Sequence, residues 1–188
     1  AELAVAMVES VRRADVDVAV SYQMTVDHGF SQTLFRILGG IDRYPTIPVF
    51  VNGIAPPFVP FRRSRLLGDA VGRYAASLGK RVLFVASGGM SHTPRRYYPD
   101  YGTGEQPVTD YQLHGGHGPG LTVSQWLERL DVMHREGAQM LVDGRRTAAD
   151  LMLNPEFDRG FMQILASGDL QRLDAIDPRA TVAQAGIG

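Results

Sequence analysis

The sequence contains no cysteine. This absence excludes disulfide bonds, thiolate nucleophiles, and zinc or iron–sulfur sites held by cysteine. A metal ion bound by this chain would need histidine, aspartate or glutamate ligands. The 21 glycines have neither the spacing of a dinucleotide-binding or phosphate-binding loop nor that of a serine-hydrolase elbow. Nucleotide binding and serine hydrolysis are therefore not expected.

The sequence also lacks an excess of charge and a long apolar run. It has 19 Lys plus Arg against 20 Asp plus Glu, a net charge of −1. Nucleic acid and membrane surfaces are therefore not expected as partners. No window approaches the ~18 to 20 apolar residues of a membrane-spanning helix. Charged residues at positions 2, 9, 12 and 13 also argue against a secretory signal, so a cytoplasmic location is predicted.

The composition is typical of a folded protein, since 44% of the 188 residues are hydrophobic. We expect one domain over residues 1–188. Apolar residues recur at helical spacing in segments that alternate with β-branched runs at 16–22, 47–51 and 81–86. This order predicts an α/β fold, with a mixed or parallel sheet covered by helices and a helical C-terminal part. Residues 87–120 lose this periodicity and are predicted to form a long loop.

Two short segments place a histidine among small residues just after a predicted strand. They are VDHGF at 26–30 and SGGMSHTP at 87–94. Ligands of open α/β sheets bind beyond the strand carboxyl ends, and imidazole is suited to proton transfer near neutral pH. His28 and His92 therefore form a candidate acid/base pair. The structural alternative is that His28 caps a helix starting near Ser31 and that His92 stabilises a turn.

Neighbouring residues suggest supporting roles. Asp27 is placed to orient or charge His28, and Pro94 to stiffen the loop that carries His92. Gly88 and Gly89 allow close approach of backbone to a ligand. Arg95 and Tyr97 suit an acidic, aromatic substrate through charge and stacking, although an exposed stretch without function explains them equally well.

No metal site is predicted within the chain itself. His114 and His117 lie three residues apart, but the glycines around them disfavour a fixed geometry and no partner carboxylate is evident.

Three longer segments carry a family resemblance. They read YQMTVDHGFSQTL, PTIPVFVNGIAPP and RSRLLGDAVGRYAASLGKRVLFVASGGMSHTP. Together they resemble the central part of the class III extradiol catechol dioxygenases, with a looser similarity in LNPEFDRGFMQILASGDLQRLDAI. The resemblance implies that His28 and His92 act as acid/base residues beside a non-haem Fe(II). We assign His28 as the base and His92 as the acid, and the reverse order stays open.

The resemblance further implies meta cleavage of a catechol such as 2,3-dihydroxyphenylpropionate by O2, in aromatic compound catabolism, by a homo-oligomer. Members of the family hold Fe(II) with two histidines and one glutamate. None of these three ligands has a counterpart in this sequence. We therefore expect the chain to correspond to an internal portion of a family member, incomplete at both ends, with Fe(II) in the intact protein and none bound by this chain alone. The alternative is a non-catalytic scaffold or fragment that lacks the ligands.

Overall fold

The computed structural model describes residues 2–53, 57–92, 102–147 and 153–186. Most of these residues are helical. The helices are α1 (Glu2–Arg13), α2 (His28–Leu38), α3 (Phe61–Ser77), α4 (Gln106–His114), α5 (Val123–Val142), α6 (Pro155–Ser167) and α7 (Pro178–Ala185), with short 3-10 helices at Gly115–His117 and Leu170–Ala175. None of these described helices is both long and apolar enough to cross a bilayer.

The chain divides into two compact units. The first comprises Ala1–Val51, Val59–Gly89 and Ser167–Asp177, and the second comprises Asn52–Phe58, Met90–Ala166 and Pro178–Gly188. The sequence-based interpretation of 1–188 as one domain stays a prediction.

The first unit has its core where α1 packs against α3. Met7, Val11, Val16 and Ala70 are buried there, because the apolar positions of both helices recur every three or four residues and share one face. The hydroxyl of Tyr74 in α3 donates a hydrogen bond of 3.0 Å to the carbonyl of Leu3.

An ion pair ties α3 to the 3-10 helix Leu170–Ala175. The Arg65 guanidinium donates from Nε and Nη2 to the two carboxylate oxygens of Asp174, at 2.8 and 2.6 Å. These hydrogen bonds favour the charged form of each partner. They raise the pKa of Arg65 above its ordinary value and lower the pKa of Asp174 below 3.8.

The predicted α/β fold is wrong. In the ranges that the structure describes, residues 16–22, 47–51 and 81–86 have no regular secondary structure, and the one bridge of β type joins His92 to Gly186. Leu83 and Phe84 are 63% and 62% exposed. A β-branched, apolar run favours a strand only where a second backbone segment pairs with it, and that partner is set by tertiary structure rather than by local sequence.

The second unit contains a helix inside the segment predicted as loop. α4 begins with Pro107 in its first turn, where proline needs no amide partner, and it buries Val108. Tyr111 stacks on the buried Trp126 of α5, with ring centroids 4.4 Å apart. This packing stabilises a helix whose amphipathic pattern is weak.

Candidate acid/base site

His28 is the first residue of α2, and Asp27 is the N-cap of that helix. The Asp27 carboxylate accepts the backbone N–H of Gly29 at 3.0 Å, while its carbonyl accepts the N–H and hydroxyl of Ser31. The capping residue is thus Asp27 rather than His28, and the helix begins three residues before Ser31. The cap fixes the backbone on both sides of His28, whose side chain is exposed.

The start of α2 lies beside the segment that leads to Gly88 and Gly89. A Cβ built on Gly29 would be 3.5 Å from the Ser87 hydroxyl and 3.2 Å from the Asp27 carboxylate. In the first unit, the turn that contains Asp27 and His28 therefore lies close to Ser87, the residue before Gly88 and Gly89. Behind this turn, the rings of Phe30 and Phe50 pack at a centroid distance of 4.5 Å.

Gly88 and Gly89 are exposed, and a Cβ at either position would meet no atom of the described residues within 4 Å. Packing among the described residues therefore does not require glycine at these two positions. Their predicted role as a surface for close approach of a ligand stays a prediction.

His92 belongs to the second unit and is held through its backbone. Its N–H donates to the carbonyl of Ala185 at 2.8 Å, at the end of α7, and His92 forms a parallel bridge with Gly186. Gly186 has φ +80°, and a Cβ there would overlap the His92 carbonyl oxygen. Glycine is therefore required at 186 for two reasons, its conformation and this close approach.

The residue before His92 is fixed by the first turn of α6. Asp158 accepts the Ser91 N–H on one carboxylate oxygen and the Ser91 hydroxyl on the other, both at 2.8 Å. The Ser91 hydroxyl in turn accepts the N–H of Asn154 at 2.8 Å. Each of these hydrogen bonds is partly buried.

Asn154 links this network to two helices. Its side-chain oxygen caps α6 by accepting the N–H of Phe157 at 3.0 Å, and its side-chain amide donates to the carbonyl of Gln184 in α7 at 3.1 Å. We call Ser91, Asn154 and Asp158 the Ser91 network. It holds the chain just before His92 against the start of α6, while α7 holds His92 itself.

Sequence reasoning missed Ser91, Asp158 and Gly186. The Asn-Pro pair at 154–155 signals a helix start, and an acid in the first turn fits the helix dipole, but neither pattern names Ser91 as a partner 63 to 67 residues away. Pro94, Arg95 and Tyr97 lie outside the described residues. His28 and His92 lie in different units, so their action as a pair also stays a prediction.

The acidic and imidazole side chains of the described residues do not form a metal site. Among residues 2–53, 57–92, 102–147 and 153–186, no three histidine, aspartate or glutamate side chains are grouped so as to hold an ion. The ligand set of a non-haem iron therefore does not fit the part of the chain that the structure describes.

Comparison with known proteins identifies the family. The model of the catalytic LigB subunit of aromatic ring-opening dioxygenase matches residues 1–188. The 2,3-dihydroxyphenylpropionate/2,3-dihydroxicinnamic acid 1,2-dioxygenases of Escherichia coli K12 and of Escherichia coli O139:H28 are each 42% identical over 186 residues, 98% of this chain. The chain spans 57% of the length of these relatives. It belongs to the LigB family of aromatic ring-opening dioxygenases, the class III extradiol enzymes.

Proposed function

We propose that this chain supplies acid/base residues to an extradiol ring-cleaving dioxygenase that acts on a catechol. The observation that carries the proposal is the start of α2. There, an exposed imidazole follows a capping aspartate and lies on a turn beside Ser87, which leads into Gly88 and Gly89. The named activity of the E. coli relatives supports 2,3-dihydroxyphenylpropionate as the catechol. Aromatic compound catabolism is the proposed setting.

The overall reaction is balanced by catechol and O2 alone. The bond that breaks joins one hydroxyl-bearing carbon to its ring neighbour without a hydroxyl. Both oxygen atoms of O2 enter the product, one in a carboxylate and one in a ketone. O2 is reduced while the ring carbons are oxidised, so no further reductant is needed. The substrate hydroxyls must lose protons before cleavage, and a proton must be returned as the ring opens.

His28 and His92 are the proposed carriers of these protons. His28 is assigned as the base that removes a proton from a catechol hydroxyl, and His92 as the acid that returns one, while the reverse order remains an alternative. Asp27 supports His28, since it fixes the turn from which the imidazole projects. Pro94 is proposed to stiffen the loop that carries His92, and Gly88, Gly89, Arg95 and Tyr97 are proposed to contact the substrate.

Fe(II) is proposed as the cofactor of the intact family member. The described residues do not assemble its ligands, so the steps assigned to this chain are proton transfers by its own side chains. A homo-oligomer and a cytoplasmic location complete the proposal, as the sequence predicts.

Substrate binding by the chain itself provides the test. In NMR spectra of the 188-residue protein, 2,3-dihydroxyphenylpropionate is expected to shift the rings of His28 and His92 and the amides of Gly88 and Gly89. The matched control ligand is 3-phenylpropionate, which has the same acidic tail without the two hydroxyls. Equal shifts with both ligands, or none with either, would refute the proposal and favour the non-catalytic scaffold.

A second measurement concerns the metal. The protein is incubated anaerobically with Fe(II), catechol and then O2 are added, and the yellow ring-fission product is followed by absorbance. Turnover by this chain would support the proposed function and disprove the expectation that it binds no iron alone.

A further inference from the structure

We propose that Asp158 is a positioning residue, which holds the acid/base candidate His92 in place through Ser91. The inference rests on the proposed function for the role of His92, whereas the positioning itself is a property of the chain. Neither family resemblance nor sequence pattern assigns a role to Asp158.

The geometry of the Ser91 network carries the first step. A carboxylate that accepts two hydrogen bonds from one residue, each at 2.8 Å, fixes both the position and the rotation of that residue. A neutral side chain with a single acceptor oxygen in place of the carboxylate would leave either the position or the rotation of Ser91 unrestrained. Ser91 is thus held through both its backbone N–H and its side-chain hydroxyl.

The second step concerns how the restraint is anchored. Asp158 lies in the first turn of α6, where the helix dipole favours a negative charge, and its own N–H donates to the carbonyl of Asn154 at 3.0 Å. Asn154 caps the same helix and gives its N–H to the Ser91 hydroxyl. The acceptor and the donor that hold Ser91 therefore both belong to one rigid helix start.

The third step reaches His92. With Ser91 held by α6, the His92 N–H bonded to the Ala185 carbonyl, and His92 bridged to Gly186, two consecutive residues have fixed backbones. The His92 side chain is left exposed on this support. A proton-transfer residue needs such support by neighbouring groups, because small displacements of the reacting atoms lower the rate of the reaction.

The test compares two acids of the same helix turn. Asp158→Ala removes both acceptors of Ser91, whereas Glu156→Ala removes an exposed acid that no Ser91 contact involves. In the full chain, amide hydrogen exchange at Ser91 and His92 is expected to be about tenfold faster in D158A and unchanged in E156A. Equal exchange in D158A and the native protein would overturn the proposal.

Two further measurements separate positioning from general destabilisation. Exchange at the buried Val11 should be unchanged in D158A, and the shift of the His92 ring on adding 2,3-dihydroxyphenylpropionate should be lost while that of His28 is kept. Faster exchange at Val11, or loss of both ring shifts, would overturn a specific role for Asp158.

A second pair of variants serves if D158A does not fold. Ser91→Ala removes the hydroxyl that joins Asp158 to Asn154, and Ser91→Thr retains it. Protection of the His92 amide should fall in S91A and return in S91T, and equal protection in the two variants would contradict the proposal. If the native protein shows no catechol shift at either histidine, the proposed function fails, while the exchange results still decide whether Asp158 holds His92.

Discussion

The backbone of His28 is fixed although the residue is not buried. Its backbone is held by the Asp27 cap and the first hydrogen bonds of α2, while its ring stays exposed to an incoming ligand. The sequence identified His28 as a candidate from its neighbours but assigned the helix start to Ser31. The error arose because Asp and His both occur at helix starts, and which of them caps the helix is decided by backbone geometry.

Replacing His28 by Phe tests its role in proton transfer. For the proposed Fe(II)-dependent cleavage of catechol by the intact family member, His28→Phe should lower kcat by ~10² to 10⁴, because a positioned acid or base contributes about that factor. Ring cleavage is measured by product absorbance, with iron content as a check on folding. His117→Phe, an exposed histidine outside the proposed site, should have no effect. Native turnover in H28F would remove His28 from the mechanism.

Gly186 is the residue whose replacement should most disturb the His92 backbone. Gly186→Ala should lower the free energy of unfolding by about 2 kcal/mol or more, since a left-handed φ and an overlap with the His92 carbonyl both oppose a Cβ. Gly144→Ala is the matched control, with φ +69° and no atom of the described residues within 4 Å of its Cβ, and should lower it by about 1 kcal/mol. Both are measured by urea unfolding, and equal losses would show that the overlap is relieved at no cost.

The Arg65–Asp174 pair predicts a dependence on acid pH. Because its pKa in the folded protein lies below 3.8, Asp174 stabilises the fold above that pH, and the contribution is lost as pH falls through the lowered value. Thermal unfolding should show Asp174→Asn less stable than the native protein near neutral pH, with the difference closing below about pH 3.8. Asp131→Asn breaks an exposed pair with Arg135 and should have little effect at any pH. A difference that grows on acidification would contradict the assignment.

At the scale of the element, two helix ends coincide with local sequence signals. α2 ends at Gly39, which adopts φ +75°, and α6 begins at the Asn-Pro pair 154–155, where Asn154 caps the helix. α4 was missed because Tyr111 stacking on Trp126 stabilises it, a contact that no local pattern encodes. The three predicted strands were wrong for the same reason, since strand formation depends on a distant partner.

The cap of α6 can be separated from its link to α7 by two substitutions. Asn154→Ala removes both the acceptor for Phe157 and the donor to Gln184, and should lower the free energy of unfolding by about 1 to 2 kcal/mol. Asn154→Asp retains the acceptor and should recover about 1 kcal/mol of that loss. Urea unfolding measures both variants. Equal stability of N154A and N154D would show that the cap contributes little.

At the scale of the whole molecule, apolar side chains remain uncovered in the described residues. Residues 48–51 and 81–86 are exposed throughout, with Phe50 at 50% and Phe84 at 62%. Apolar runs of this kind, with backbone groups outside any ladder, favour association with other chains. They support the predicted homo-oligomer through an observation independent of the family resemblance.

Replacing Phe84 by Lys should weaken self-association. We expect the native protein to show concentration-dependent mass in sedimentation velocity, and F84K to shift toward the monomer, since a charge on the apolar run opposes its burial. Val142→Lys is the control, because Val142 is 80% exposed at the end of α5 and outside the two runs. A monomeric native protein, or equal effects of the two variants, would contradict association through residues 81–86.

The Ser91 network also implies an order in which segments of this chain fold. Ser91 is bonded to residues 63 and 67 positions further along the chain, and His92 rests on residues later still. Closing a chain segment of this length into a loop costs conformational entropy, and helices formed by local contacts do not pay this cost. During synthesis, the capping hydrogen bonds of the turn around His28 join residues at most four positions apart, so we expect this turn to form early. The backbone at His92 acquires its restraints only after α6 and α7 have left the ribosome.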